Sequence, residues 1–245
     1  LAVQPGPDGD VPAPPVLLLG ARGGVPAGLG VVEGEDIPYQ PWAAARKQEN
    51  FANALARDPE ARCYKAGVPR ANYMPYPFQI IQSTGTVMLV YEYAAASRTV
   101  ALGNAGPALA DSWMGHNAGR WDGDTLVVDV TGQVADTWFD RAGNFHSDAL
   151  HVVERYTPAS PDRLDYEARI DDPKVFTRPW TIRMPLYRRA ERHAQLMEYK
   201  CVEFVEELMY GHLRKQAVAR HWEADLGETG GRIAVDVTRT FPGTR

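Results

Sequence analysis

The sequence predicts a mainly β chain: an antiparallel meander that forms a barrel or sandwich, with two flanking helices and an extended N-terminal arm. Three observations carry this. Short runs rich in Val, Ile, Thr and aromatic residues recur at intervals of about 10–15 residues, divided by Gly- and Asp-bearing turn signals. Two of the runs, RLDYEARI and RPWTIRMPLYRR, alternate in polarity as half-buried strands do. The first 38 residues are so interrupted by Pro and Gly that no regular helix can persist there.

Taken in order, residues 1–38 read as the arm and 39–245 as one β-rich domain. Within the arm, PVLLLGA is a short apolar run, and its Val16–Leu19 core is expected to dock on the body or on a neighbouring subunit. A helix follows in PWAAARKQENFANALARDPEARC. Pro41 suits its first turn, the alanines favour its interior, and Asp58-Pro59 ends it. PYPFQIIQSTGTVMLVYEY reads as a hairpin turning at Ser83-Thr84-Gly85, and SRTVAL as the next strand. GRWDGDTLVVDV carries a second hairpin at Asp122-Gly123. A strand over Ala149–Thr157 comes next, then RLDYEARI and RPWTIRMPLYRR. AQLMEYKC is expected to be a last meander strand, VEFVEELMYGHLRKQAVARHW a helix, and RIAVDVT a returning strand.

The 245 residues, 44% of them hydrophobic, suffice for one sizeable core. Net charge is −5, and the 26 basic residues form no run. That excludes a nucleic-acid surface and a polybasic membrane patch. No apolar stretch reaches the roughly 18 residues a transmembrane helix needs. No cationic segment followed by an apolar one marks a signal peptide, and a chain beginning at Leu1 reads as a mature or trimmed form. The two cysteines, Cys63 and Cys201, lack CxxC spacing. On spacing alone they either close one long loop in an oxidising compartment or stay as buried thiols.

The strings PYQPWAAARKQEN, EARCYKAGVPR, PYPFQIIQ, WMGHNAGRWDGDTLVVDVTG, TWFDRAGNFHSDALHVVERYT and DPKVFTRPWTIRMPLYR are together highly specific. Over residues 36–201 the chain resembles a large group of exported bacterial proteins of unknown function, abundant in soil bacteria. Members open with a PDGKPDLSGVW-type segment, echoed here only by GPDGDVPAPP, and beyond Cys201 this chain has a longer helical tail. The resemblance implies a periplasmic or secreted location. It also implies a Cys63–Cys201 bridge, because members carry a cysteine near both positions. It implies no particular reaction.

The densest chemistry lies in WFDRAGNFHSDALHVVERYT, Trp138–Thr157. As a strand, its second half puts Leu150, Val152, Glu154 and Tyr156 on one face and His151, Val153, Arg155 and Thr157 on the other. Either mixture could line a small-molecule pocket. His146 and His151 are the acid–base candidates, with Asp148 orienting or charge-stabilising one of them and His116 across the pocket. Asp140 and Arg141 would position the substrate, and Trp138, Phe139 and Phe145 would stack on it. The structural alternative is a turn capped by Asp140, Asn144 and Asp148, with both histidines packed and satisfied. A metal held by His116, His146, Asp148 and His151 is a lesser alternative, since HSDALH matches no ligand signature.

GxSxG, GxGxxG and GxxxxGK[ST] motifs are absent. The expected function is therefore a cofactor-independent lyase or isomerase acting by His/Asp acid–base chemistry on a small, ring-containing substrate. The rival is a non-catalytic periplasmic ligand-binding or assembly protein. Convergence of His116, His146 and His151 on one cavity favours the enzyme, and three separately packed rings favour the rival. Self-association through the arm or the 202–216 helix is a further expectation.

Overall fold

The computed structural model describes residues 31–32, 37–189 and 194–210. Its body, ending at Phe204, is built on one nine-stranded sheet ordered β1-β9-β8-β7-β6-β5-β4-β3-β2. The strands are β1 (Val31–Val32), β2 (Phe78–Gln82), β3 (Thr86–Tyr91), β4 (Ser97–Leu102), β5 (His116–Asp122), β6 (Thr125–Thr131), β7 (His151–Ser160), β8 (Arg163–Asp171) and β9 (Trp180–Tyr187). The sheet is curled into a half-barrel, and among the described residues β1 and β2 are its edges.

Both hairpins form where the turn chemistry places them. Thr84-Gly85 links β2 to β3, and Gly123 takes the positive φ of 60° that the β5–β6 turn requires. The meander is interrupted once. β4 and β5 run parallel, pairing Val100 with Asn117, so the intervening chain must cross from one end of the sheet to the other. Helix α1 (Pro41–Ala52) begins at its proline, and Ala54–Arg57 (α2) adds a further turn before Asp58. The Asp58 side chain accepts from the Glu60 N–H and caps the 3-10 turn Pro59–Arg62.

Two expectations change. AQLMEYKC forms no strand: Met197 N–H donates to Glu92, Tyr199 packs against Tyr76 and Tyr93, and Cys201 is bonded to Cys63. It could not have extended the meander beside β9, because β1 already pairs there. The arm also contributes to the body, through β1. The Val16–Leu19 segment and the RIAVDVT run lie outside the described residues, as does the rest of the expected 202–222 helix beyond α3 (Val205–Tyr210). No helix among the described residues is long and apolar enough to cross a membrane.

The core occupies the concave face of the sheet. Alternation delivers Val87, Leu89, Val100, Val128, Val130, Val152, Tyr166, Ala168, Ile170, Ile182 and Met184 to it. The concavity is filled by the chain's own segment from Ala66 to Met74, buried throughout, whose 3-10 turn Arg70–Tyr73 brings Arg70, Asn72 and Tyr73 inside.

Candidate functional site

The FDRAGN loop is shaped by Asp140. Its Oδ1 accepts from the N–H of Ala142 at 2.8 Å, and its Oδ2 accepts from the Asn144 side chain at 2.6 Å. Burial pushes the Asp140 carboxyl up to about 6, against the opposing pull of these donors and of the Arg70 charge. Gly143, at φ +82°, presses on α1 so closely that a Cβ would lie 2.7 Å from the Phe51 nitrogen. The Asn50 side chain donates to the Gly143 carbonyl. Trp138 and Phe139 are buried, and Phe139 packs edge-on to Trp180 and beside His146. Phe145 packs with Tyr39 and Trp42. Arg141 pairs with Glu60, which also pairs with buried Arg70. Burial opposes the Arg70 charge, yet Asp58 and Glu60 hold its guanidinium above its ordinary range.

His146 is 2% exposed, and both ring nitrogens are used. Nδ1 lies 2.8 Å from the Ser147 carbonyl, which can only accept, so the proton is on Nδ1. Nε2, 2.6 Å from Thr137 Oγ1, then accepts from that hydroxyl. Gln133 donates to Thr137, and its amide clamps Val68 by accepting from the N–H at 2.9 Å and donating to the C=O at 3.0 Å. The relay fastens the loop to the 66–74 segment. Burial lowers the His146 pKa below 6.5 and keeps the ring neutral.

The expected meeting of histidines at one point does not occur. His146 faces the core beside Phe139, whereas His151, on β7, projects from the outer face and meets Asp129 at 3.1 Å. His116 stands at the start of β5 and reaches the Gly106 carbonyl at 3.1 Å. Asp148 is exposed and pairs with Lys174 at 2.6 Å, which holds its carboxyl below the usual range. Among the described residues, the partners of the two rings are Ser147, Thr137 and Gln133 for His146 and Asp129 for His151, not Asp148. Among the described residues no group of three or more His, Cys, Asp or Glu is placed to hold a metal ion. The four residues of the metal alternative are likewise dispersed.

Sequence reasoning missed the polar centre of the core. Arg98 Nη1 lies 2.7 Å from Glu154 Oε2, and neither side chain is more than 1% exposed. Glu154 Oε1 accepts from Asn72 at 2.7 Å, Tyr156 at 2.9 Å and Tyr166 at 2.7 Å. Arg98 donates to the Tyr156 hydroxyl at 2.7 Å and to Asn117 at 3.1 Å, and Tyr91 donates to Asn72. Burial raises the hydroxyl pKa of Tyr156 and Tyr166 well above the ordinary value. A signal existed: Arg98 shares its phase with Val100 in SRTVAL, as Glu154 does with Val152 and Tyr156, so each strand's apolar face carries one opposite charge.

The His146 relay gives a stability prediction. His146→Ala should lower folding free energy by about 1–3 kcal/mol through loss of buried hydrogen bonds. Because the folded pKa lies below 6.5, the unfolded chain binds more protons in the intervening window. The ring's contribution is therefore full above pH 6.5 and declines as pH falls toward the folded pKa. Urea unfolding at a series of pH values should show a shallower acid decline for the variant, and identical slopes would contradict the relay. Comparison with protein-family models, curated proteins and solved structures gives no match.

Proposed function

We propose that this chain is a non-catalytic assembly protein of an oxidising, extracytoplasmic compartment, a disulfide-tied half-barrel that binds a macromolecular partner through the edge and outer face of its sheet at β2–β4. The observation carrying this reading is how charge is distributed over that face. On β2, β3 and β4 the outward residues are Gln79, Ile81, Thr86, Met88, Val90, Ser97, Thr99 and Ala101, none charged. On β5 to β8 the same face carries Arg120, Asp122, Asp129, Arg155, Asp165, Glu167, Arg169 and Asp171, and Arg183 continues it on β9. Charge depletion is the compositional mark of an interface centre.

The polar residues of the candidate site support the same reading, because each is engaged in holding the chain together. Asp140 shapes its loop, His146 locks the loop to the 66–74 segment, and Arg141 joins it to Glu60. The lyase or isomerase reading requires His146 and His151 at a common point, and their placement on opposite faces supports it less well. The Cys63–Cys201 bridge and the resemblance to exported proteins support the compartment.

The test is the native mass of the chain recovered from the compartment that houses it. The wild type should migrate in a particle larger than its own 27.1 kDa. Gln79→Lys with Ile81→Lys places two charges on the outward residues of β2, which are not paired with one another within the chain, and should collapse the particle without shifting the melting temperature. A wild type migrating as a single chain, or a particle indifferent to these charges, contradicts the proposal.

A further inference from the structure

We infer that the partner is a second copy of this chain, joined edge to edge through β2 in an antiparallel, two-fold pair. This rests on the assembly reading and names its partner. Among the described residues β2 is the last strand of the sheet, and its sequence FQIIQ holds no charge and no proline. Edge strands are ordinarily guarded by charges, prolines or bulges. Here Ile80 is 39% and Ile81 46% exposed, and the β2–β3 register is unbroken from Phe78 to Gln82.

The backbone fixes how such an edge can be completed. Ser83 N–H donates to the Thr86 carbonyl, and Glu92 N–H to the Pro77 carbonyl, so the pairs 83/86 and 77/92 are hydrogen-bonded ones. Alternation then turns residues 79 and 81 toward β3 and leaves the N–H and C=O groups of Phe78, Ile80 and Gln82 pointing away from the sheet. A two-fold axis at Ile80 sets Ile80 against Ile80, and Phe78 against Gln82 in both directions. All three are hydrogen-bonded positions, so every outward group of the strand is used. Gln79 then faces Ile81 on the outer side, where cross-strand neighbours are closest.

Strand length and charge favour self-pairing. Pro77 on one side and the Ser83-Thr84-Gly85 turn on the other confine the free edge to the five residues of β2, the length its own copy supplies. Two chains of net charge −5 repel one another. They approach at least cost where neither presents a charge, and β2 continues the uncharged face of β3 and β4.

Sedimentation velocity on the purified full chain tests this. The wild type is expected at twice 27.1 kDa, with a concentration-dependent monomer. Gln79→Lys with Ile81→Lys puts like charges opposite one another in both outer pairs, and Gln79→Glu with Ile81→Glu does the same with the opposite sign. Each double variant alone should be monomeric. Mixed, they should form a heterodimer in which every such pair is Lys–Glu. Ile80→Cys should give a covalent dimer on mild oxidation, independently of whether the charged variants fold. A monomeric wild type overturns the inference, as does a dimer that survives both charge variants or a mixture that fails to pair. If the purified chain is monomeric while the native particle exceeds one chain, the second copy is ruled out and the assembly reading stands.

Discussion

Arg98→Met is expected to lower folding free energy by about 3–5 kcal/mol, the usual cost of removing one partner of a buried ion pair. The charge left behind is Glu154, which is 0% exposed and cannot recover water without opening the core. Its remaining partners, Asn72, Tyr156 and Tyr166, are neutral. Tyr156 and Asn117 each lose a donor in the same substitution. Glu154→Gln alone should also destabilise, by orphaning the guanidinium. The double variant should cost less than the two single effects added together, because neither charge is then stranded. Urea unfolding measures all three. A loss below about 1 kcal/mol for Arg98→Met would place the pair in contact with solvent, as is typical of surface pairs.

Removal of the Cys63–Cys201 bridge is the second large effect. The bridge spans a sequence separation of 138, and loss of a native cross-link typically costs about 2–5 kcal/mol. It fastens the segment after β9 to the turn following α2, beside the contacts of Tyr199 with Tyr76 and Tyr93. Cys63→Ala with Cys201→Ala should lower the urea midpoint, and reductant should do the same to the wild type but not to the variant. Thiol titration of the unfolded, unreduced chain should find no reactive thiol. Two reactive thiols would contradict the bridge.

Strands were the most legible part of the sequence. Period-two alternation fixed β8 and β9, and Gly123 fixed the β5–β6 turn, because those signals are local. The parallel β4–β5 pair was not legible, since chain direction across a sheet depends on where a long connection travels. AQLMEYKC has strand composition, but a disulfide and an aromatic cluster decide its path. In the candidate site, Asp140 does cap the turn, accepting from the Ala142 and Asn144 N–H groups, whereas the Asn144 side chain donates to Asp140 and Asp148 pairs with Lys174. The spatial divergence of His146 and His151 could not be read from a separation of five residues, because the strand begins only at His151 and His146 stays in the loop before it. Arg98 and Glu154 were legible one at a time as polar residues in an apolar phase. Their meeting was not, because β5 and β6 lie between their strands.

The central claim is that the loop histidines serve the fold while the β2–β4 side of the sheet serves the partner. Hydrogen exchange read by mass spectrometry, comparing the native assembly with the dissociated chain, tests it most directly. Peptides covering residues 78–102 should be slowed in the assembly, most of all across β2, with 138–151 unchanged. Slowing confined to 138–151, with β2 exchanging equally fast in both states, would contradict the account.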